Sequence, residues 1–357
     1  MNRLREQLPY VSLGRFPTPV ERLAALGRAI GVEQLYIKRD DLSGDSYGGN
    51  KVRKLEFLLG DALRVKAREV ITFGFAGSNH SLATAYYAKQ LGLKCTALLL
   101  PQVNAHYVRR NLLASFHQQT ELHHYATPTR LRLGLLGKLW QSRRQFGVWP
   151  RLIPPGGSCP LGAAGYVNAA LELNDQIAGG AMPVPARIYV PLGSMGTAAG
   201  LILGLAIAGL NCEVAAVRVI EERLNPPRNL HRLLQRTDAL LRRLDPATPR
   251  FRWPPPNLIL RSDCLGDGYG RFTGTGIRAA VLMQRHAGIP MNGTYSAKAF
   301  AALLADAANG TLAGKTILFW NTYNSRDLAA MTADADYRQL PTGFHRYFES
   351  DVQPLDR

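Results

Sequence analysis

The most informative stretch of this chain runs from residue 39 to residue 56 and reads RDDLSGDSYGGNKVRKLE. Gly48 and Gly49 allow a tight turn and a close approach of the backbone to a flat ligand. Lys51 follows at the start of an amphipathic helix, where its amine can form a Schiff base with a carbonyl compound or with pyridoxal phosphate. Most lysines are solvated surface charges, so this interpretation of Lys51 needs support from the rest of the chain.

Size and composition indicate a globular protein of about two domains. The chain has 357 residues, of which 46% are hydrophobic and 19% are charged. A chain of this length commonly forms two domains, and this apolar content is enough to build buried cores.

The cysteines argue against a metal site and against a disulfide framework. Cys95, Cys159, Cys212 and Cys264 are scattered, without a CxxC pair or a histidine cluster at ligand spacing. Each lies in or beside an apolar run. We therefore expect four buried, inert thiols and no bound metal.

Residues 188–210 carry no charge and are long enough to cross a membrane. Pro191 and Gly193 interrupt this run, so a buried strand, a turn and a buried helix are predicted instead. Residues 1–20 contain no apolar core of a secretory signal. We expect a cytoplasmic protein with no membrane partner.

The formal charge is +17 and the isoelectric point is about 10.0. Residues 122–171 contain no acidic residue, and a second arginine-rich stretch spans residues 223–252. Such regions attract nucleic acid, anionic surfaces or acidic small molecules. An ordinary solvated basic face is favoured, because no recognisable nucleic-acid module accompanies the charge.

From residue 69 onward, β-rich runs alternate with amphipathic runs, which predicts an α/β fold of mostly parallel, twisted sheets covered by helices. Residues 223–252, with prolines around them, have the character of an insertion or a partner surface. Strands are expected at 70–74, 94–100, 188–191, 213–220 and 257–261, and helices at 79–91, 105–117, 130–144 and 161–177.

Two glycine-containing turns separate a predicted strand from a predicted helix. In the first, Gly193, Ser194, Met195, Gly196 and Thr197 can direct backbone N–H groups and a helix N-terminus at one phosphate. It is neither a GxGxxG fingerprint nor a Walker A loop, and such a turn is often only structural.

The second turn leads into four consecutive polar residues, Ser78, Asn79, His80 and Ser81, of which the first three are the site candidates. They can bind a substrate carboxylate at a helix N-terminus, or they can simply cap the helix. Tyr269 and Tyr295 lie in turn-rich segments, where contact with a ligand and ordinary core packing are both open.

These motifs together resemble those of the 1-aminocyclopropane-1-carboxylate deaminase and D-cysteine desulfhydrase family, whose members are pyridoxal-phosphate enzymes of the tryptophan-synthase β fold. The similarity begins with Gly48-Gly49-Asn50-Lys51-x-Arg53-Lys54 and Gly77-Ser78-Asn79. It continues through Gly193-Ser194-x-Gly196-Thr197, Tyr269-Gly270 and Tyr295-x-x-Lys298-Ala299, in family order over roughly residues 15–325.

The resemblance implies a role for each matching residue. Lys51 would hold the cofactor and later act as a base, beside Asn50. Asn79 would bind the pyridoxal hydroxyl, Thr322 would face the pyridine nitrogen, and residues 193–197 would bind the phosphate. The substrate residues implied are Ser78, Asn79, His80, Tyr269, Tyr295 and Ser296, with Tyr295, Tyr269 and Ser78 taking part in catalysis.

Two departures from the family pattern bear on the substrate. Ser296 stands where the cyclopropane-acid deaminases have Glu and the D-cysteine desulfhydrases have Thr, and a hydroxyl cannot replace that carboxylate. Asn321-Thr322-Tyr323-Asn324 replaces a His-Thr-Gly-Gly strand end, which exchanges glycines for larger side chains.

The resemblance favours a lyase that removes the α-proton of a small amino acid and eliminates its β-substituent, in the manner of D-cysteine desulfhydrase. Ring-opening deamination of the cyclopropane acid is one alternative. A cofactor-binding protein with little catalysis and a basic partner surface is another. We expect a homodimer with a large domain (1–50 and 160–340), a small domain (51–159) and a C-terminal tail (341–357).

Overall fold

The structure is a computed structural model, and it describes residues 2–251, 254–333 and 335–356. The chain divides into two compact units. Unit 1 comprises residues 1–8, 14–54 and 158–326, and unit 2 comprises residues 9–13, 55–157 and 327–357. Elements are numbered β1–β10 and α1–α12 along the chain.

Unit 1 is built on a six-stranded sheet within the described residues. Its strands are parallel except the edge strand β1, which pairs antiparallel with β2. In order across the sheet they are β1 (Val20–Arg22), β2 (Leu35–Lys38), β10 (Ile317–Trp320), β7 (Arg187–Leu192), β8 (Glu213–Arg218) and β9 (Leu258–Arg261).

Helices cover both faces of this sheet because successive strand residues point to opposite sides. Ile188 and Val190 of β7 pack in a core with three helices, α7 (Pro160–Ala178), α8 (Gly196–Ile207) and α9 (Pro227–Leu244). Tyr189 packs in the opposite core with α2 (Ala24–Ala29), α10 (Gly274–Ala287) and α11 (Ser296–Ala308). The first helix of the chain is α1 (Asn2–Gln7).

Unit 2 contains a four-stranded parallel sheet among its described residues. Across the sheet, the strands are β5 (Glu121–His124), β4 (Lys94–Leu100), β3 (Glu69–Phe75) and β6 (Arg151–Ile153). Its helices are α4 (Asn79–Gln90), α5 (His106–His117), α6 (Pro128–Phe146) and α12 (Arg346–Glu349), together with most of α3 (Lys51–Arg64). The predicted α/β fold with mostly parallel sheets is confirmed.

The two units do not coincide throughout with the predicted domains, and residues 9–13, expected in the large domain, belong to unit 2. One boundary falls inside α3, after Lys54. Residues 327–357, of which 341–357 were expected to form a tail, belong to unit 2. Two hydrogen bonds of Tyr347 hold them there. Its hydroxyl accepts from the Gln102 amide at 3.2 Å, and the backbone carbonyl of Tyr347 accepts from Arg109 Nε at 2.7 Å.

Residues 188–210 form β7, a turn and α8, as the sequence predicts, and no helix of the described residues is both long and apolar enough to span a bilayer. The interpretation of residues 223–252 as an insertion is wrong for its central part. Helix α9 buries Leu230, Leu234 and Leu241 in the core of unit 1, because leucines recur on one face of this helix. Arg252 and Trp253 lie outside the described residues.

The described residues contain no group of side chains able to hold a metal ion. None of the four cysteines, all within the described residues, forms a disulfide, and three are buried as expected. Cys159 is only half-buried, because it immediately precedes α7 at the end of a loop.

Candidate active site

The turn before Lys51 is held by backbone contacts that require glycine. Gly49 has a φ of +96°, a conformation that side-chain-bearing residues rarely adopt. A Cβ there would lie 3.1 Å from the carbonyl oxygen of Thr322. That same carbonyl accepts a hydrogen bond from the Asn50 amide at 3.1 Å. The end of β10 therefore fixes the position at which α3 begins with Lys51.

The amine of Lys51 lies beside Asn50. Lys51 Nζ donates to Asn50 Oδ1 at 2.7 Å, and Asn50 Nδ2 donates to the hydroxyl of Thr197 at 2.9 Å. Although Lys51 is only half-buried as a residue, its amine is enclosed by protein atoms, and burial lowers the pKa of Lys51 from 10.5 to about 8. A neutral lysine amine is the form that attacks a carbonyl.

The glycine turn that precedes α8 has the geometry of an anion site. Met195 adopts a left-handed conformation with a φ of +74° and gives α8 no side-chain cap. The first turn of a helix leaves backbone N–H groups without intrahelical acceptors, and the helix end carries a partial positive charge. A Cβ on Gly196 would come within 2.7 Å of the hydroxyl of Ser158, so glycine keeps this turn open.

Two residues that the sequence did not assign to a site complete this turn. The Ser158 hydroxyl donates to Ser194 Oγ at 2.8 Å and accepts from the Gly196 amide at 3.1 Å. Lys54 Nζ lies 3.0 Å from the point a Gly196 Cβ would occupy. Burial, with the nearby Lys51 amine, holds the pKa of Lys54 well below 10.5.

A sequence signal for Lys54 does exist, because it follows Lys51 by three residues and therefore shares its helix face. Ser158 has no such signal. It meets the Gly193–Thr197 turn from 38 residues away in the chain, and that proximity is a product of the fold.

Tyr269 and Tyr295 are brought together in unit 1. Their hydroxyls share a hydrogen bond, and their rings meet edge to face with centroids 5.9 Å apart. The ring of Tyr295 also borders the Gly193–Thr197 turn, since its Cε1 lies 3.6 Å from the position that a Cβ on Gly193 would occupy. Two phenols beside an anion site are groups that can pass a proton.

The loop that carries Tyr295 is fixed by its neighbours. Asn292 Oδ1 accepts from the amides of Thr294 and Tyr295 at 2.9 and 3.2 Å. The hydroxyl of Ser296 is buried and accepts from the Asn292 amide at 2.8 Å. Ser296 thus closes the loop with its side chain, a contact that the sequence did not predict.

Tyr269 is positioned by a buried lysine and a carboxylate. Lys298 Nζ donates to the carbonyls of Leu265 and Gly268 at 2.7 and 3.1 Å, directly before Tyr269 in the chain. The Tyr269 amide donates to Glu221 Oε2 at 3.2 Å. Burial lowers the pKa of Lys298 to about 8.

Ser78, Asn79 and His80 belong to unit 2, at the N-terminus of α4. Ser78 caps the helix, because its hydroxyl accepts from the Ser81 amide at 3.1 Å. Asn79 Oδ1 accepts from Asn111 Nδ2 at 2.9 Å. Ser78 and Asn79 are half-buried and His80 is buried. Their assignment to cofactor and substrate remains a prediction.

The departure at residues 321–324 has a structural use. Asn324 is buried, and its Oδ1 accepts from the amides of Gly48 and Arg326 at 2.7 and 3.1 Å. The side chain that replaces a family glycine therefore ties the strand end to the loop that leads to Lys51. Thr322 is also buried, and its carbonyl makes the bond to Asn50 described above.

These features of unit 1 fit pyridoxal phosphate. Lys51 supplies a buried amine of lowered pKa, the α8 turn supplies an anion cradle that a side chain on Gly196 would fill, and Asn50 connects the two through Thr197. The phosphate group matches the helix N-terminus and the neighbouring Lys54.

Comparison with known proteins agrees with this fit. A family model described as pyridoxal-phosphate dependent enzyme matches residues 11–322. The chain therefore belongs to the family of pyridoxal-phosphate dependent enzymes, and the resemblance seen in its motifs is confirmed at that level.

Two relatives and one structure illustrate the range of this similarity. A Pyrococcus abyssi protein with the provisional name 1-aminocyclopropane-1-carboxylate deaminase is 30% identical, over 90% of this chain and 93% of its own. Nocardicin C-9' epimerase of Nocardia uniformis is 34% identical, over 90% of this chain and 94% of its own. The crystal structure of an ACC deaminase homologue has a TM-score of 0.77 at 33% identity, covering 92% of this chain and 95% of its own.

A more distant structure supports the fold alone. L-Serine ammonia-lyase from Rhizomucor miehei superposes with a TM-score of 0.60 at 18% identity, covering 92% of this chain and 99% of the other. At that identity, the comparison supports the α/β architecture and no further property.

Proposed function

We propose that this protein is a pyridoxal-phosphate dependent lyase that acts on a small amino acid, with D-cysteine as the first substrate to test. The observation that carries the proposal is the pair of tyrosine hydroxyls, Tyr269 and Tyr295, beside the turn at Gly193. The similarity to ACC deaminase-like proteins over nine tenths of the chain supports it.

The cofactor, when bound, supplies the electron sink that makes the α-proton of an amino acid removable. Lys51 then takes that proton with its amine, whose lowered pKa keeps a useful fraction neutral near pH 8. The Gly193–Thr197 turn and Lys54 hold the phosphate. The assignment of Ser78 and Asn79 to the substrate carboxylate is carried over from the family resemblance and stays a prediction.

Tyr295 supplies a proton to the leaving group on the β-carbon, and Tyr269 holds the Tyr295 hydroxyl in place. The carbon–sulfur bond of D-cysteine breaks as sulfide leaves, and hydrolysis of the remaining enamine gives pyruvate and ammonia. Ring opening of the cyclopropane acid is the weaker alternative, because Ser296 carries no carboxylate and its hydroxyl already binds the Asn292 amide.

A panel of D- and L-cysteine, D- and L-serine and the cyclopropane acid tests the proposal. We expect pyruvate, ammonia and, from cysteine, sulfide in equal amounts. Formation of 2-oxobutyrate from the cyclopropane acid alone would favour ring-opening deamination. A visible cofactor band without turnover of any compound would favour the cofactor-binding alternative and contradict the lyase.

Epimerisation at the α-carbon is a second candidate, favoured by the 34% identity to an epimerase. Lys51 and the tyrosine pair offer two different groups, one to remove the proton and one to return it. Incubation of single enantiomers in D₂O separates the two functions. Inversion with deuterium at the α-carbon and no ammonia indicates an epimerase, whereas ammonia release in step with substrate loss indicates the lyase.

A further inference from the structure

Helix α6 (Pro128–Phe146) has an inner face that is fully accounted for by packing within unit 2. Leu131, Leu135 and Leu139 pack against Ile71 and Leu98 of the sheet. Lys138 is buried on this side too, and its amine binds both carboxylate oxygens of Glu121 at 2.6 Å. This lysine of the basic stretch is therefore structural.

The outer face of α6 is unusually apolar. Leu133, Leu136 and Trp140 are 65%, 57% and 61% exposed, and their spacing places them on one side of the helix. A Cβ added to Gly137, between them, would meet nothing within 4 Å. Trp149, 50% exposed, extends the surface, since its ring centroid lies 5.3 Å from that of Trp140. We call Leu133, Leu136, Trp140 and Trp149 the α6 ridge.

Basic side chains flank the ridge. Arg130, Arg132, Arg143 and Arg144 are all exposed on α6, and Arg143 lies with its guanidinium 6.0 Å from the centroid of the Trp149 ring. The sequence contains no acidic residue from 122 to 171 that could neutralise them locally. The surface thus combines exposed leucine and tryptophan side chains with uncompensated positive charge.

We propose that the α6 ridge docks unit 2 onto the surface of an anionic lipid membrane. Helices that lie in a bilayer interface combine Trp and Leu on one side with arginine or lysine alongside, and they bury their apolar side chains about 5–10 Å deep. The arginines of α6 then meet lipid phosphates while the ridge enters the headgroup region. Such docking needs no membrane-spanning segment, and it does not depend on the proposed lyase activity.

Other occupants fit this surface less well. A stable protein interface buries roughly 800 Å² on each partner, drawn from 20–30 residues, which is more than a convex ridge of four large apolar side chains offers. A symmetric contact between two copies would set the arginines of α6 against each other. Nucleic acid would pair with the arginines but would leave Leu133 and Leu136 without a favourable partner.

Helix α9 provides an internal comparison. Arg228, Arg232, Arg236 and Arg243 are exposed there, but no large apolar side chain of α9 is exposed, and Leu230, Leu233, Leu234 and Leu241 are buried. A simple effect of net charge would involve α9 as much as α6, whereas the proposal concerns α6 alone.

The test is sedimentation of the full-length holoenzyme with vesicles of phosphatidylcholine, with or without phosphatidylglycerol. An apolar variant replaces Leu133, Leu136 and Trp140 by Gln. Its control replaces Leu224 and Val281, which are exposed elsewhere in the chain, by Gln as well. A charge variant replaces the four α6 arginines by Gln, and its control replaces the four exposed α9 arginines, Arg228, Arg232, Arg236 and Arg243, by Gln. The visible cofactor band reports that each variant is folded.

We expect binding to the anionic vesicles only, weakened by salt and accompanied by a blue shift of tryptophan emission. The charge variant should bind at least about 100-fold more weakly, since each basic residue near an anionic surface contributes roughly a five-fold effect. The apolar variant should lose binding to a similar extent, because three large apolar side chains no longer enter the headgroup region. Both control variants should bind like the unaltered protein. The proposal would be overturned if the unaltered protein did not bind the anionic vesicles, or if the α6 and α9 variants lost vesicle binding equally. It would also be overturned if the apolar variant lost self-association.

Discussion

The hydroxyls of Tyr269 and Tyr295 are hydrogen-bonded to each other across 26 residues of sequence, with their rings edge to face. Each comes from a different loop, and each loop is fixed by its own contacts: Asn292 and Ser296 for Tyr295, Lys298 and Glu221 for Tyr269. This arrangement fixes two hydrogen-bonded phenols next to the Gly193–Thr197 turn, and we propose that they transfer a proton.

Replacing Tyr295 by Phe removes the hydroxyl that passes the proton but keeps the ring against Gly193. We expect kcat to fall by about 100-fold or more, the usual range for a lost acid–base group, with the visible cofactor band unchanged. Tyr269→Phe should have a smaller effect, because it leaves the Tyr295 hydroxyl in place. A Tyr295→Phe enzyme of normal kcat would remove this residue from the mechanism.

Replacing Lys298 by Met leaves the carbonyls of Leu265 and Gly268, the second of them in a buried residue, without this donor. Each lost partner costs about 1–3 kcal/mol, so Tm should fall by several degrees and kcat by roughly ten-fold as Tyr269 shifts. Lys315 is the matched control, since it is exposed and its amine donates to the carbonyl of Thr311. Equal effects of Lys298→Met and Lys315→Met would contradict a positioning role.

The lowered pKa of Lys51 predicts how cofactor attachment depends on pH. Burial disfavours the charged amine and brings its pKa from 10.5 to about 8. The fraction of reactive neutral amine therefore falls as the pH drops below 8 and approaches one as the pH rises above 8. The rate of attachment to the apoprotein, followed by absorbance, should rise about ten-fold per pH unit up to 8 and then level off. The rate of attachment to free Nα-acetyllysine, the control, should continue to rise toward pH 10. The same behaviour in the protein would contradict the assignment.

Thiol reactivity should separate Cys159 from the other three cysteines. Burial raises the pKa of Cys212 to about 12 and that of Cys264 to about 11, and Cys95 is buried as well. Thiols react as thiolates, so native protein should show one fast thiol with Ellman's reagent and four after unfolding. The fast thiol should vanish in Cys159→Ser, and its survival there would refute this prediction.

Local patterns in the sequence were sufficient for much of the fold. Runs such as residues 94–100 match their strand without change, because β-branched and apolar residues bounded by turn residues specify a strand locally. The turn at Gly193–Thr197 was also recognisable as a candidate anion site, because its glycines lie between a predicted strand and a predicted helix.

Contacts between distant parts of the chain could not be predicted in this way. Prolines on both sides of α9 indicated an insertion, yet the leucine face of the helix is part of the core of unit 1. Ser158 and Asn324 act on residues 38 and 276 positions away. The contact of Ser296 with substrate stays a prediction, and the loop closure by its hydroxyl, which depends on backbone geometry, was not predicted.

The central claim is that Lys51, and not the nearby Lys54, carries the cofactor. Both amines are buried and both have a lowered pKa, so the two must be separated by experiment. Borohydride reduction of the holoenzyme fixes the cofactor on its lysine, and peptide mass mapping locates it. We predict a single pyridoxyl group on Lys51. The group should be absent from the Lys51→Ala variant and should still be on Lys51 in the Lys54→Met variant. A label on Lys54, or an unchanged visible spectrum in Lys51→Ala, would contradict the account.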